Sequence, residues 1–231
     1  MIYKTKEVYG VESIKLNTVS TVDAVRNALE SDILSLQFAP GEKITESDLA
    51  VRYSVSRNTI REAVAHLLAQ GLLTKVANKG VSVRRFTVQD VQEIFHLRAL
   101  LELEAVNTIF AEKIQPNSLY RIVDELEAIN RQEQWDDYVR ADIRFHSGLV
   151  AAAGSTRLVK LYDTILTEVK LCIYQTRNHV AVPEGNNTTH RILLDTICSG
   201  DITASKQLLK KHIEHVIKRY CAGLIEMEKS K

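Results

Sequence analysis

The sequence predicts a mostly α-helical protein in which an N-terminal winged helix-turn-helix, completed by a small β-hairpin, precedes an all-helical bundle. Residues 45–71 have the pattern of two short helices joined by a tight turn, and residues 73–83 contain two short β-type runs. The rest of the chain shows helical periodicity without strand-like alternation. These observations divide the chain into an N-terminal tail over 1–17, a winged domain over 18–85 and a helical domain over 86–231.

The first two helices of the winged domain are marked by their ends. Apolar residues recur at helical spacing from Thr21 onward, and the turn dipeptide Pro40-Gly41 stops this first helix. Thr45 and Asp48 form a capping-box pattern, so a second helix begins directly after Thr45. Two helices are therefore expected before the turn of the motif.

A third helix and a wing complete the motif. Ser56 can cap the third helix, and Gly71 stands where a left-handed residue would end it. The β-type runs over 73–76 and 81–83 then pair as a hairpin, whose tip carries Lys79. This order of helices and hairpin predicts a winged helix-turn-helix.

The first turn of the third helix carries side chains suited to a DNA major groove. Arginine pairs with guanine and asparagine with adenine, and each good bidentate pair discriminates between bases by about 1–3 kcal/mol. Helix-turn-helix proteins present this end of their second motif helix to the bases. The predicted DNA-binding residues are Ser56, Arg57, Asn58, Thr59, Arg61 and, in the wing, Lys79.

The distribution of charge agrees with a nucleic-acid partner. The whole chain has a formal net charge of only +1, but seven lysines or arginines and a single acid, Glu62, lie between Arg52 and Arg85. A basic segment of this kind is the electrostatic footprint of phosphate-backbone binding. A solvated surface face would have the same composition, so the expected partner, double-stranded DNA, depends on the motif as well.

Other classes of protein are disfavoured. No apolar run approaches the roughly 20 residues of a membrane span, and the first residues lack the apolar core of a signal peptide, so we expect a cytoplasmic protein without a membrane partner. The three cysteines lie far apart without a C-x-x-C spacing, so neither a disulfide framework nor a thiolate metal site is indicated. Phosphate-binding-loop, nucleophile-elbow and zinc-protease motifs are missing, which weakens any interpretation as an enzyme.

The helical domain is expected to begin at a capping box formed by Thr87 and Asp90. The first helix is apolar nearly all round, so both its own bundle and a partner subunit should cover it. This pattern favours a homodimer. Helices are expected near 88–113, 117–131, 134–153, 155–177, 187–199 and 201–227.

One group of residues in this domain could hold a metal ion. Asp142 and His146 are four residues apart, on one side of one predicted helix, and His190 and His212 lie in later helices. One carboxylate and three imidazoles suit Zn, Ni, Mn or Fe. Among seven histidines and 29 acids, however, such a pair often arises by chance, and His215 competes with His212. The residues alone therefore favour coincidence.

Both halves resemble a known family of transcription regulators. PGEKITESDLAVRYSVSRNTIREAVAHLLAQGLL, at 40–73, and NKGVSV, at 78–83, resemble the winged domain of the GntR family. The helical half is similar to the FCD effector domain of its FadR-like subfamily. The matching pieces there are LRALLE at 97–102, DIRFH at 142–146, His190, and GDITASKQLLKKHI, which carries His212.

The resemblance implies roles for particular residues. It implies that operator DNA is contacted by Arg57, Asn58, Thr59 and Arg61, with Lys79 serving in the wing. It also implies a divalent metal beneath an effector pocket, bound by Asp142, His146, His190 and His212. Arg98 lies in the family's pocket-facing helix and would pair with an effector carboxylate. The alternative is a structural pairing of Arg98 with a neighbouring acid, and the sequence favours neither.

Two positions depart from the family pattern. Ser47 stands where some members have a base-contacting arginine, which could alter the operator sequence that is read. Thr189 stands where the family more often has an acidic residue before His190, which removes a candidate hydrogen-bonding partner of that histidine.

The expected function is that of a dimeric, effector-responsive transcription regulator, most often a repressor in this family. A two-fold dimer would place its recognition helices roughly 34 Å apart on a palindromic operator. A small organic acid that completes the coordination of the metal would change the affinity for DNA. The alternatives are a DNA-binding protein whose metal is purely structural and, less favoured, a metal-dependent hydrolase. Because no base or nucleophile is evident beside the candidate ligands, we expect no enzymatic activity.

Overall fold

The computed structural model describes residues 20–76, 80–180 and 188–229, and it confirms the predicted fold class. The tail predicted over 1–17 and Lys79 lie outside the described residues. The winged domain consists of α1 (Thr21–Leu34), β1 (Lys43–Ile44), α2 (Glu46–Tyr53), α3 (Arg57–Ala69), β2 (Leu73–Val76) and β3 (Gly80–Val83).

Side-chain caps position the two helices of the motif. Thr45 Oγ1 accepts a hydrogen bond from the backbone N–H of Asp48, and Ser56 Oγ accepts one from that of Thr59, each at 3.2 Å. Between the helices, Ser54 adopts a left-handed conformation with φ of 55°. The tight turn expected at this place is therefore confirmed, and α3 begins where the sequence predicted.

The wing is a three-stranded antiparallel sheet in the order β1-β3-β2. Leu73 of β2 lies opposite Val83 of β3, and Ile44 of β1 lies opposite Val81. The two strands of the predicted hairpin are confirmed. The sequence prediction missed β1 because a strand of two residues offers no alternation to detect.

The helical domain contains helices close to the expected positions. Its second predicted helix is divided: a 3₁₀ turn over Asn117–Leu119 precedes α5, and the extended backbone of Ile129 ends α5 three residues early. Within the described parts of the chain, no helix combines the length and apolar character that a membrane span requires. The helices are α4 (Val88–Ala111), α5 (Tyr120–Ala128), α6 (Trp135–Ala152), α7 (Thr156–Thr176), α8 (Thr189–Ser199) and α9 (Ile202–Lys229).

Helix α4 is the central element of the bundle and packs against α6, α7 and α9. The predicted capping box starts it: Thr87 Oγ1 accepts from the backbone of Asp90, whose carboxylate accepts from the backbone N–H of Thr87. Most of its buried residues are apolar, but Arg98 and Glu102 are buried in its middle. The centre of the bundle therefore contains charge.

The winged domain is joined to the helical domain through α7. Arg84, which follows β3, forms ion pairs with Asp90 of α4 at 2.9 Å and with Glu168 of α7 at 3.0 Å. Gln175 Nε2 donates a 2.6 Å hydrogen bond to the carbonyl oxygen of Arg84. Gly71, at the end of α3, lies so close that a Cβ atom there would be 2.6 Å from Cδ of Glu168. The polar contacts of Arg84 with α4 and α7 are therefore part of the junction between the two domains, where α1 also packs against α7.

We expect Gly71→Ala to destabilise the protein more than backbone strain alone would. Gly71 has φ of 75°, and a left-handed conformation costs an L-residue about 1–2 kcal/mol. The new methyl group would also displace Glu168 from its contact with Arg84. Thermal unfolding followed by circular dichroism measures the loss, at about 2–4 °C per kcal/mol for a chain of this size.

Gly154→Ala is the matched control. Gly154 has φ of 70°, but no heavy atom in the described structure comes within 4 Å of a Cβ built there. Equal losses of stability in the two variants would contradict a contribution from the Glu168 contact.

Candidate functional site

The N-terminal turn of α3 projects away from the protein. The helix buries its opposite face through Ile60, Ala63, Val64 and Leu67. Arg57 and Asn58 are exposed, and Thr59 is half-buried beside its cap Ser56. The structure therefore places the predicted base-reading residues on an open surface, at the end of the helix that such motifs present to DNA.

Arg61 has a partner that the sequence analysis missed. Its guanidinium donates to both carboxylate oxygens of Glu46 on α2, at 3.2 and 2.8 Å, and to Asn58 Oδ1 at 3.4 Å. The hydrogen bond from Arg61 lowers the pKa of Glu46, so the pair is ionised. Arg61 would have to exchange this partner for DNA.

Part of the basic segment serves contacts within the protein. Arg52 pairs with Asp32 at 2.8 Å, Arg84 forms the domain junction, and Arg85 donates to the carbonyl oxygen of Pro40 at 2.7 Å. These three side chains therefore serve contacts within the protein. The candidate DNA surface is centred on the first turn of α3.

The helical domain brings together the four side chains that were candidate metal ligands. Asp142 and His146 lie one turn apart on α6, His190 is at the start of α8, and His212 is in α9. One potential ligand atom from each lies within 4.8 Å of all the others. Nε2 of His190 is 3.1 Å from Asp142 Oδ1 and 3.3 Å from Nε2 of His146.

Two buried imidazole nitrogens in this cluster are without a hydrogen-bonding partner in the described structure, namely Nδ1 of His190 and Nε2 of His212. A buried polar atom left unpaired costs about 1–3 kcal/mol. A cation between the side chains would give His212 Nε2 a partner, and a set of three imidazoles and one carboxylate suits a divalent transition metal. The donor set therefore fits the predicted ion. The unbonded Nδ1 of His190 agrees with the sequence, in which Thr189 stands where the family more often has an acidic residue.

A buried acid that received no role in the sequence analysis orients the cluster. Glu102 of α4 lies with its Oε2 2.8 Å from Nδ1 of His146, so Nε2 of that ring faces the other candidate ligands. Its Oε1 accepts hydrogen bonds from Arg98 Nε at 2.7 Å and from the hydroxyl of Tyr162 at 2.8 Å. The sequence could have indicated Glu102, because it follows Arg98 by four residues in an apolar helix. Nothing in the sequence indicated Tyr162.

The electrostatics of the cluster favour the protonation states that a metal needs. Burial by itself raises the pKa of Asp142, but interactions with His190, His146 and Arg98, in that order, outweigh it and hold that pKa well below its usual range. Burial, together with nearby positive charge, lowers the pKa of His146 and, more strongly, that of His212. An ionised carboxylate and neutral imidazoles are the forms that bind metal ions.

A cavity of about 510 Å³ lies beside the cluster, within the usual size range of ligand pockets, ~300–1,000 Å³. Asp142, His212 and Arg98 are among the residues of its wall. Arg98 is only 2% exposed and is held by Glu102, while its Nη2 is 3.9 Å from Asp142 Oδ2. The structural pairing considered for Arg98 is therefore present, and the same side chain also borders the cavity.

Comparison with protein families identifies both halves of the chain. Residues 21–83 match the family described as bacterial regulatory proteins, gntR family, and residues 93–215 match the FCD domain. These matches confirm the resemblance found in the sequence. Members of this family are transcription regulators rather than enzymes, which also confirms the expectation that the protein is not an enzyme.

Individual relatives agree along most of their length. The chain is 30% identical over 194 residues to the HTH-type transcriptional regulator YdhC of Bacillus subtilis. This alignment covers 82% of the chain and 86% of the relative. It is 27% identical to the HTH-type transcriptional repressor GlaR of Escherichia coli, over 85% and 93% of the two chains. The crystal structure of a GntR regulator from Rhodococcus sp. RHA1 superimposes with a TM-score of 0.70 at 27% identity, over 87% and 98% of the two chains. The chain therefore belongs to the GntR family of DNA-binding transcription regulators and carries an FCD domain.

Proposed function

We propose that the protein is a dimeric repressor whose affinity for a palindromic operator changes when a small organic acid binds beside a divalent metal ion. The observation that carries this proposal is the buried cluster of Asp142, His146, His190 and His212 at the wall of a ligand-sized cavity. Similarity to a relative named as a repressor supports repression. The proposed division of labour assigns DNA reading to residues 18–85 and effector binding and dimerisation to residues 86–231.

The metal would be held by the Asp142 carboxylate and the three imidazoles, and it would supply a positive centre for the carboxylate of the effector. The side chains support this role on their own. Glu102 fixes the ring of His146, and the low pKa of Asp142 keeps its carboxylate ionised. Arg98 Nη2, on the cavity side of its pair with Glu102, would donate a charge-assisted hydrogen bond to the acid.

Helix α7 provides a contact route from the cavity to the DNA-binding half. The hydroxyl of Tyr162 donates to Glu102, which holds His146, and further along the same helix Glu168 and Gln175 hold Arg84 at the domain junction. A shift of α7 upon acid binding would change the pose of the winged domain. The acid regulates DNA binding only to the extent that it binds the two poses with different affinity.

Dimerisation is supported by the exposed apolar side chains of the central helix. Leu97 and Leu100, three residues apart on α4, are 47% and 51% exposed, whereas the apolar residues that α4 packs into the bundle, such as Phe95, are buried. A second copy of the chain would cover them and complete the burial that the sequence pattern of α4 predicts. The resulting two-fold symmetry matches the symmetry of a palindromic operator.

We expect Arg57→Ala to weaken binding to a selected operator duplex by about 1–3 kcal/mol, because it removes a bidentate contact to a base. Binding to a scrambled duplex should change much less. Fluorescence anisotropy over a range of salt concentrations measures both. Lys79→Ala is the contrasting variant, since loss of a phosphate contact should weaken both complexes and flatten the salt dependence. Equal losses for Arg57→Ala on the two duplexes would refute a role in base reading.

We expect that removal of the metal abolishes stabilisation by small organic acids. An acid at ~100 times its dissociation constant adds about 2.7 kcal/mol, which at roughly 2–4 °C per kcal/mol gives an easily measured rise in melting temperature. The measurement is thermal unfolding against a panel of acids, with and without a chelator. If chelation alone lowers the melting temperature and no acid raises it, the metal is structural and the proposed effector response is wrong.

Two histidine variants provide the control for this experiment. His212→Ala removes a candidate ligand and should lower ion affinity by more than about 100-fold, since the loss of a mere partner of a ligand costs about 10–100-fold. His215→Ala alters a neighbour on the same helix that lies outside the cluster and should leave ion affinity unchanged. Titration calorimetry with Zn²⁺, Ni²⁺ and Mn²⁺ distinguishes them, and the reverse order would reassign the ligand to His215.

We expect Leu100→Glu to convert the dimer to a monomer, because it places a charge in the apolar surface that the partner subunit would cover. Sedimentation velocity measures the change in mass. Val51→Glu is the matched control: Val51 is 80% exposed on α2 of the winged domain, outside the proposed interface. A Leu100→Glu variant that remains dimeric would place the interface elsewhere.

A further inference from the structure

The cavity beside the cluster contains more positive charge than one effector carboxylate requires. The described residues of its wall include four arginines or lysines, Arg98, Arg131, Lys211 and Arg219, against the single carboxylate of Asp142. Arg98 lies close to Asp142 and is paired with Glu102. The proposed function uses Arg98 and leaves the charge of Arg219 without a role.

Arg219 is the most unusual of these side chains. Its Nε is buried and has no hydrogen-bonding partner in the described part of the chain, where it also has no ion pair with a carboxylate. Its one recorded hydrogen bond there is a long one, 3.4 Å from Nη2 to the hydroxyl of Tyr220, whose ring lies 5.2 Å from the guanidinium carbon. A guanidinium whose Nε is removed from water and unbonded is costly unless an anion completes it.

The charge of Arg219 is retained despite this burial. Partial burial by itself would lower the pKa of Arg219, but interactions with Tyr220, Tyr138 and Asp142 outweigh it and raise that pKa. The guanidinium is therefore a permanent cation at the cavity wall. It presents a planar fork of donors, which matches the geometry of a carboxylate.

The position of Arg219 on α9 separates it from the metal cluster. His212 and Arg219 are seven residues apart, so they lie two turns apart on one face of the helix, about 10 Å along its axis. A large part of the cavity wall is apolar. It is formed by residues such as Val139, Ile173, Leu193, Leu208 and Val216. The cavity wall thus combines the candidate metal ligands and Arg98 with a second cation two helical turns along α9, on a largely hydrocarbon lining.

We propose that the effector is a small aliphatic diacid, whose first carboxylate is bound at the metal and Arg98 and whose second carboxylate pairs with Arg219. This inference rests on the proposed function and names the class of effector for the same cavity. Arg219 is then the residue that determines specificity for diacids over monoacids. The apolar wall accommodates the methylene chain that joins the two carboxylates.

The test compares acids of equal chain length: butyrate with succinate, pentanoate with glutarate, and hexanoate with adipate. The full-length protein is first reconstituted with whichever of Zn²⁺, Ni²⁺, Mn²⁺ and Fe²⁺ restores its melting temperature after chelation. Thermal unfolding and titration calorimetry are then measured at constant ionic strength. We expect at least one diacid to raise the melting temperature clearly more than its matched monoacid does.

Variants locate the origin of this preference. Arg219→Gln should weaken diacid binding by about 10–100-fold, the value of a charge-assisted hydrogen bond, and leave monoacid binding and metal content unchanged. Arg219→Lys keeps the charge and should restore part of the preference. Lys218→Gln removes a neighbouring exposed cation of α9 and should behave like the unaltered protein.

Each outcome decides between the two proposals. Equal shifts for monoacids and diacids, or a diacid preference that survives Arg219→Gln, would overturn the diacid inference and leave the acid-responsive regulator intact. If no acid of either kind shifts the melting temperature of the metal-loaded protein, the proposed effector response fails as well. Should Arg219→Gln not fold, the matched acids on the unaltered protein still decide whether the effector is a diacid.

Discussion

The helical domain depends on one buried carboxylate, that of Glu102. It binds Arg98 on its own helix, His146 on α6 and Tyr162 on α7, so a single charge ties three helices together. Burial by itself would raise the pKa of Glu102, but its interactions with His146 and Arg98 outweigh it and lower that pKa. Because a buried charge costs several kcal/mol when it loses its partners, the helices are held at fixed spacing. The support of the bundle and that of the candidate metal centre are therefore the same contacts.

Much of this molecule could be predicted from sequence because many of its determinants are local. The caps Thr45, Ser56 and Thr87 start their helices where the patterns indicated, and the i,i+4 spacing put Asp142 and His146 on one side of α6. The grouping of the four candidate ligands came from the family resemblance. From the sequence alone, chance was the better explanation of this set of one acid and three histidines. Spacing along the chain does not show which helices face each other.

The contacts that the sequence analysis missed all join distant parts of the chain. Arg61 meets Glu46 across the two motif helices, Tyr162 reaches Glu102 from a helix sixty residues later, and Arg84 turns inward to the domain junction. Each depends on how helices are rotated against one another, which periodicity leaves open. A count of basic residues has the same weakness, because it does not show which of them are paired within the protein. Arg84 was counted toward the DNA-binding segment, although this side chain neutralises two acids within the protein.

The cavity is bordered by the tightly hydrogen-bonded group around Arg98 and by more sparsely bonded residues of α9. This difference bears on how the protein could evolve. Replacing Arg98, Glu102 or His146 one at a time would strand a buried charge, so natural selection should hold these residues together. Part of the wall contributed by α9 lies outside this bond network, because Arg219 makes one long hydrogen bond in the described structure. Under the proposed acid response, substitutions at such wall positions could change which acid is bound while the candidate metal ligand His212 and the winged domain are kept.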